Sequence, residues 1–249
     1  MLRHERIIMQ FHSTPRVARR TLAVIVLLIG TLLLSSCGKA LHKITSDSGE
    51  YFDKWTDTTY IALPASYEPI SRGDEYGKVS LAGVKNILYR IDGLAPTEYL
   101  CTEYGSVYHN KNIQPLLFDD WKISTLKVCT DAATTVSHLK LTPEDEAHAS
   151  VIAATQAAWR DGVSVRYPSH LTPDENYTLR FESEDVPGLY FAVKLLAYDE
   201  DVYDVIVNEA GEEVEVNFGR YFLYDRYSRR CVATDDRIFR LLAGEEITP

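Results

Sequence analysis

"TPEDEAHASVIAATQAAWRDG", Thr142–Gly162, is the stretch whose reading decides the fold class. Thr142 caps a helix, Pro143 takes its first position, and Glu144, Asp145 and Glu146 face its positive end. Ala147, Val151, Ala154 and Ala158 recur at helical spacing, with Ile152 and Trp159 on the flank. Gly162 stops the helix. The small alanines predict a helix lying close on a sheet.

After Gly162 the period changes to two. "VSVRYP", "YTLRFE", "LYFAVKLLAY", "VYDVIVNE", "EEVEVNF", "RYFLYD" and "RCVAT" follow one another. Val214, Val216 and Phe218 alternate with Glu213, Glu215 and Asn217, which predicts one buried and one wet face. "NEAGEE" and "DRYSRR" have the composition of hairpin turns. Upstream, "TTYIALP", "NILYRIDG", "YLCTEYGSVYH" and "WKISTLKVC" are strand candidates, with Gly105 marking a bulge in the third. The expectation is therefore an α+β fold: one main helix, about 142–162, packed on a largely antiparallel sheet, after a strand-rich N-terminal half. This arrangement is similar to cystatin-like folds, a likeness of fold that licenses no function. Residues 51–140 form the strand-rich half and 141–249 the helix plus meander, as two parts or one continuous domain.

Working further out, the N-terminus carries a different signal. Arg16, Arg19 and Arg20 flank a run from Leu22 to Leu34 without a charge. That run is too short for a bilayer span, which needs about 20 apolar residues. It fits the apolar region of an export signal. Leu34-Ser35-Ser36-Cys37 then resembles the lipobox of bacterial lipoproteins: an aliphatic residue, two small residues and the Cys that accepts the diacylglyceryl group. The resemblance covers residues 1–38 only, with Met1 or Met9 as the start. It implies cleavage after residue 36, lipidation of Cys37, and a membrane anchor made stable by two or more acyl chains. Gly38 stands where an Asp would retain a lipoprotein in the inner membrane, so the resemblance implies the outer membrane, facing the periplasm, in a two-membrane cell. In a one-membrane cell it implies the cell membrane. Residues 37–50 are polar and read as a tether.

Removing residues 1–36 takes five Arg and one Glu from the 26 basic and 36 acidic residues, which leaves a net charge of −14. Such acidity argues against nucleic acid as a partner. Three cysteines remain after Cys37. They allow one disulfide, Cys101 with Cys129 in the same half of the chain, or three buried thiols.

Chemical motifs are few. "GDEYGKVS", Gly73–Ser80, lacks the spacing and the hydroxyl of a phosphate loop. Glu144 with His148, and Asp199 with Asp201 and Asp204, fall short of metal-ligand patterns. His109, His138 and His170 have no identifiable nucleophile in sequence. No metal site, cofactor or catalytic residue is assigned. One segment stands out: Arg220, Arg226, Arg229, Arg230, Arg237 and Arg240 crowd the C-terminus of an acidic chain, with Tyr221, Tyr224 and Tyr227 between them. Guanidinium forks bind carboxylate or phosphate and stack on aromatic rings. Arg220, Arg226, Arg229, Arg230, Tyr224 and Tyr227 therefore form either a docking surface for an anionic protein or envelope polymer, or an internal partner for the acidic hairpin Asp199–Glu215 in the same sheet.

These features predict a lipid-anchored envelope protein that binds a partner. The alternatives are an envelope hydrolase using carboxylates drawn from distant loops, and a structural lipoprotein of an envelope assembly.

Overall fold

The computed structural model describes residues 41–81, 84–130, 136–207 and 210–248. It overturns the expected α+β fold. The chain is strand-dominated, and its N-terminal half closes on itself as a barrel. The barrel strands are β1 (His42–Asp47), β2 (Glu50–Asp53), β3 (Thr58–Ala62), β5 (Arg72–Leu81), β6 (Val84–Ile91), β7 (Tyr99–Thr102) and β8 (Val107–Asn110). Their order around the barrel is β1-β2-β3-β8-β7-β6-β5. Neighbours pair antiparallel except at the seam, where β1 runs parallel to β5 with His42 opposite Gly77 and Ile44 opposite Val79.

Two sequence readings are corrected by this closure. The segment 37–50 is not all tether, because β1 and the start of β2 lie within it and complete the barrel. Gly105 is not a bulge inside one strand. It takes φ 86° in the turn that joins β7 to β8, a conformation that favours glycine.

Seven barrel side chains form a small interior core: Ile44, Tyr51, Tyr60, Tyr76, Val79, Leu88 and Leu100. Small barrels are filled by side chains rather than hollow. The seam requires a glycine: a Cβ on Gly77 would lie 2.6 Å from Ile44 Cδ1 and 3.0 Å from the His42 carbonyl oxygen. Strand β7 shows why the barrel does not stand apart. Leu100 points into the barrel, whereas Tyr99 and Cys101 on either side of it enter the main core. Alternation along one strand thus buries both faces.

The main core lies under the second sheet, ordered β10-β9-β11-β12-β15-β16. Its strands are β9 (Ile123–Cys129), β10 (Ser137–Leu141), β11 (Glu175–Ser183), β12 (Leu189–Ala197), β15 (Tyr221–Tyr224) and β16 (Cys231–Ala233). Strand β4 (Tyr67–Pro69) leaves the barrel segment to pair with β12, Tyr190 opposite Glu68. Leu179, Phe181, Phe191, Val193 and Leu195 of β11 and β12 pack against helix α1 (Glu146–Asp161) through Val151, Ile152 and Trp159. Asp145, not Thr142, caps the helix, accepting from the His148 amide at 3.0 Å. Gly162 ends it by close approach rather than by positive φ: a Cβ there would lie 2.2 Å from the Ala158 carbonyl oxygen. A second helix, α2 (Arg237–Leu242), adds Ile238 to the same core. Among the described residues no helix is long and apolar enough to cross a membrane.

Strands β13 (Tyr203–Val207) and β14 (Glu213–Asn217) form a separate two-stranded ribbon. The predicted buried face of "EEVEVNF" is reduced to Phe218, which packs on the cluster of Val202 and Phe222, since Val214 is exposed and Val216 only half-buried. Among the described residues neither β13 nor β14 contributes to a buried cluster, so alternation within the two strands has no layer to bury against.

Candidate functional site

The second sheet lays one face on the main core; its other face is polar along β9, β11 and the middle of β12, and carries a smaller buried cluster at Leu196, Phe222 and Cys231 with Val165, Tyr198 and Val202. Register dictates the polar ladder. Arg180 of β11 lies opposite Lys127 of β9 and Ala192 of β12, and Thr178 opposite Lys194. Lys127 Nζ pairs with Glu182 Oε1 at 2.6 Å, and Arg180 Nη2 approaches the same oxygen at 3.5 Å. The Arg180 guanidinium lies 3.9 Å over the Tyr190 ring. Lys194 Nζ donates to Thr178 Oγ1 at 2.9 Å. Tyr190 donates to Glu68 Oε2 at 2.5 Å and so fixes that carboxylate. Burial first, and the Glu68 carboxylate second, push the Tyr190 phenol well up, which keeps it a donor.

At the end of this face the β15–β16 turn folds over the sheet. Its organiser is Asp225, 4% exposed. The carboxylate accepts from the Tyr227 amide at 2.9 Å, the Ser228 amide at 3.2 Å and the Ser228 hydroxyl at 2.6 Å. It also accepts from the buried Ser66 hydroxyl at 2.7 Å, across the interval between the barrel segment and the sheet. Burial opposes the Asp225 charge, but these bonds outweigh it and hold the carboxyl below its ordinary value. Arg229 completes the turn with φ 60°.

The turn presents Arg226 and Tyr227. The Arg226 guanidinium lies 4.6 Å from the Tyr227 ring centre and donates to the Tyr227 hydroxyl. Both side chains line an open cavity of about 280 Å³ with Glu68 of β4 and with Tyr104, Gly105 and Ser106 of the β7–β8 turn. A second cavity of about 190 Å³ shares Tyr104 and Ser106 and continues past Glu103 toward Asn86 and Tyr51. A shallow recess on the other side shares Glu68, Arg226 and Tyr227 and reaches Thr178, Lys194 and Tyr224. The three recesses share lining residues along the polar face and the barrel rim, and together they are termed the groove. Tyr104 is 89% exposed and Tyr227 51%.

The predicted Arg/Tyr set is therefore divided. Arg226, Tyr227 and Tyr224 meet in the groove, Tyr224 stacking on Tyr167 at 4.2 Å. Arg220 instead donates to the Asp199 carbonyl at 3.1 Å and to the Tyr221 hydroxyl at 3.2 Å. Arg230 crosses to the C-terminal end of α1, where it donates to the Trp159 carbonyl, to the Arg160 carbonyl at 3.2 Å, and stacks 4.8 Å over Trp159. The acidic hairpin forms its own ribbon and does not share a sheet with the Arg segment. Glu68, Tyr104, Ser106, Ser66 and Asp225 were not found from sequence. Only Asp225 had a local signal, an Asp opening a turn rich in Ser and Arg.

Cys37 lies outside the described residues. Cys101, Cys129 and Cys231 are buried free thiols, so the structure has no Cys101–Cys129 bond. The two sit on β7 of the barrel and β9 of the second sheet. Burial pushes the Cys101 thiol up to about 11 and the Cys231 thiol up to about 12.

A second polar cluster lies in the barrel. Asp53 is fully buried and accepts from His42 Nδ1 at 2.6 Å, the Tyr76 hydroxyl at 2.7 Å, Thr56 Oγ1 at 3.0 Å and the Trp55 amide at 2.9 Å. The His42 ring stacks on Tyr76 at 4.3 Å and tilts against Trp55 at 4.6 Å. Burial again opposes the charge, and the four donors again hold Asp53 below its ordinary value. Asp53 and Asp225, the two buried carboxylates among the described residues, are thus held as anions, the reverse of what a general acid in a hydrolase needs. Among the described residues no group of three or more His, Cys, Asp or Glu side chains is placed to hold a metal ion. No family model, no curated protein and no solved structure matches the chain.

Proposed function

We propose that the chain is a lipid-anchored envelope protein whose folded unit holds an anionic partner in the groove at Arg226 and Tyr227. The lipobox-type segment ending at Cys37 supports the anchor. In a two-membrane cell it implies the outer membrane, facing the periplasm. The observation that carries the binding reading is the β15–β16 turn. A buried carboxylate, Asp225, is spent on holding Arg226 and Tyr227 at the mouth of an open cavity. A binding site whose side chains are already ordered loses less entropy on association. The lining mixes Arg226 and Lys194 with Glu68 and Glu103, a pattern suited to recognition more than to proton transfer.

The test is a pull-down from detergent-solubilised envelope with the full chain, comparing wild type with the double variant Arg226→Ala/Tyr227→Ala. A partner retained by wild type and lost by the variant is expected. The same partners at the same yield in both samples would remove the groove from the function. Mass spectrometry of membrane-extracted protein checks the anchor independently, with a diacylated N-terminal Cys37 as the expected mass.

A further inference from the structure

Resting on the anchor reading, we infer that the barrel itself seats on the membrane through Trp55, with a lipid surface as its partner. The chain has three tryptophans. Trp121 and Trp159 are buried in the main core, whereas Trp55 is 60% exposed and belongs to none of the buried clusters. One exposed ring by itself says little. Two observations select a partner for this one: what holds it, and where the chain enters the fold beside it.

Trp55 sits in the turn between β2 and β3, "KWTD", Lys54–Asp57. The turn is built on the buried Asp53 carboxylate, which accepts from the Trp55 amide at 2.9 Å and from the Thr56 hydroxyl at 3.0 Å. Asp57 closes it with φ 52°. The His42 ring backs the indole at 4.6 Å and is itself stacked on Tyr76 at 4.3 Å. The indole is therefore already held in place, and ordering it on a surface loses little entropy. Tryptophan favours the headgroup level of a bilayer, which matches an apolar ring with one polar N–H. Lys54 and Asp57 cancel, and the chain as a whole is acidic, so the ring rather than charge supplies the attraction.

The second observation is the length of chain between anchor and fold. His42 opens β1 and its ring touches Trp55. Cys37 precedes His42 by five positions, which span at most about 18 Å of fully extended chain. Acyl chains on Cys37 enter the hydrocarbon core, and the headgroup layer above that core is about 5–8 Å deep. A chain anchored there keeps the His42 end of the barrel close to the surface, and Trp55 is the ring exposed beside His42.

Register fixes what then points away. Strand β1 runs from His42 to Asp47, β2 returns to Asp53, and β3 leaves again to Ala62, which lies opposite Tyr108 of β8. The β7–β8 turn with Tyr104 is therefore at the barrel end opposite Trp55. Contact through Trp55 leaves the Tyr104 side of the groove open to the aqueous phase.

Tryptophan emission tests the contact, using the full chain purified from membranes in detergent and reconstituted in phosphatidylcholine vesicles. One set of vesicles has ordinary acyl chains. The other has acyl chains brominated near the headgroup, which quench an indole in contact with them. Bromination is expected to remove part of the wild-type emission and none from Trp55→Phe, whose two other tryptophans are buried. The wild-type comparison between the two vesicle sets does not depend on the variant folding. Flotation of the vesicles and the mass of Cys37 report the anchor separately. A lipidated chain that floats with the vesicles and shows no quenching overturns the Trp55 contact and leaves the anchor reading in place. Quenching that persists in Trp55→Phe also overturns it. Emission that follows protein concentration but not bromination identifies a second copy at Trp55 and overturns the lipid assignment. A chain without lipid on Cys37 that stays behind in flotation overturns both readings.

Discussion

Ser66 donates its hydroxyl to the Asp225 carboxylate at 2.7 Å, joining two buried residues 159 positions apart in the chain. This bond ties the segment leaving the barrel to the turn that carries Arg226 and Tyr227. Removing Asp225 leaves the Ser66 hydroxyl and two turn amides without their acceptor. Asp225→Ala is expected to cost about 3 kcal/mol and Ser66→Ala about 1–2 kcal/mol, the range for buried hydrogen bonds to a charged group. The pair shares one interaction, so the double variant should cost less than the two single costs together. Urea unfolding of the four chains measures this, and strict additivity would contradict it.

Acid should unfold the chain through the same kind of group. Asp53 and Asp225 both sit below their ordinary value of 3.8 when folded. The unfolded chain therefore binds protons that the folded chain does not. Their contribution is complete above the ordinary carboxylate value and is lost as pH falls through the lower folded values. Stability measured by urea midpoint should fall steeply as pH drops toward about 2. Asp53→Asn, already uncharged, should flatten that slope while lowering stability at neutral pH.

The barrel seam makes a steric prediction. Gly77→Ala drives a Cβ into Ile44 and the His42 backbone. It should destabilise by about 1–3 kcal/mol, the ordinary cost of overpacking. Adding Ile44→Val, which removes the methyl that Gly77→Ala meets, should recover part of the loss. A Gly77→Ala chain with unchanged thermal stability would mean that β1 and β5 do not approach this closely.

The three thiols should be silent in the native state. Each is buried, and burial raises each of them. A thiol reagent at about pH 8 should label none of Cys101, Cys129 and Cys231 before unfolding and all three after it, without any reductant. Native labelling, or a need for reductant, would count against the arrangement.

Arg226 and Arg230 should separate binding from stability. Arg230 satisfies carbonyls at the end of α1 and stacks on Trp159. Arg230→Ala should lower the unfolding free energy by about 1–2 kcal/mol without changing capture of the groove's partner. Arg226→Ala should do the opposite.

The sequence by itself determined the elements whose signals are local. The helix near 142–162 shows a 3.6-residue period and an acidic start, and its true cap, Asp145, lies three residues from the predicted one. Hairpin turns such as the one at Asp225–Arg230 announce themselves by composition. The crowd of Arg and Tyr near the C-terminus is a fact of composition too, and three of its six nominated residues do meet in the groove.

Only the tertiary structure decided the rest, because pairing between distant strands leaves no local trace. "HKITSD" is polar and six residues long, and nothing in it says that it will lie parallel to β5 and close a barrel. The choice is made by Gly77, which lets β1 approach, and by Asp53, whose charge is acceptable in the interior once His42, Tyr76 and Thr56 converge on it. The groove follows the same rule. Glu68, Tyr104 and Asp225 lie far apart in the chain and become neighbours only when β4 joins the second sheet and the barrel docks on it through both faces of β7. Periodicity reports which face of a strand is apolar, whereas folding selects the partner that buries it.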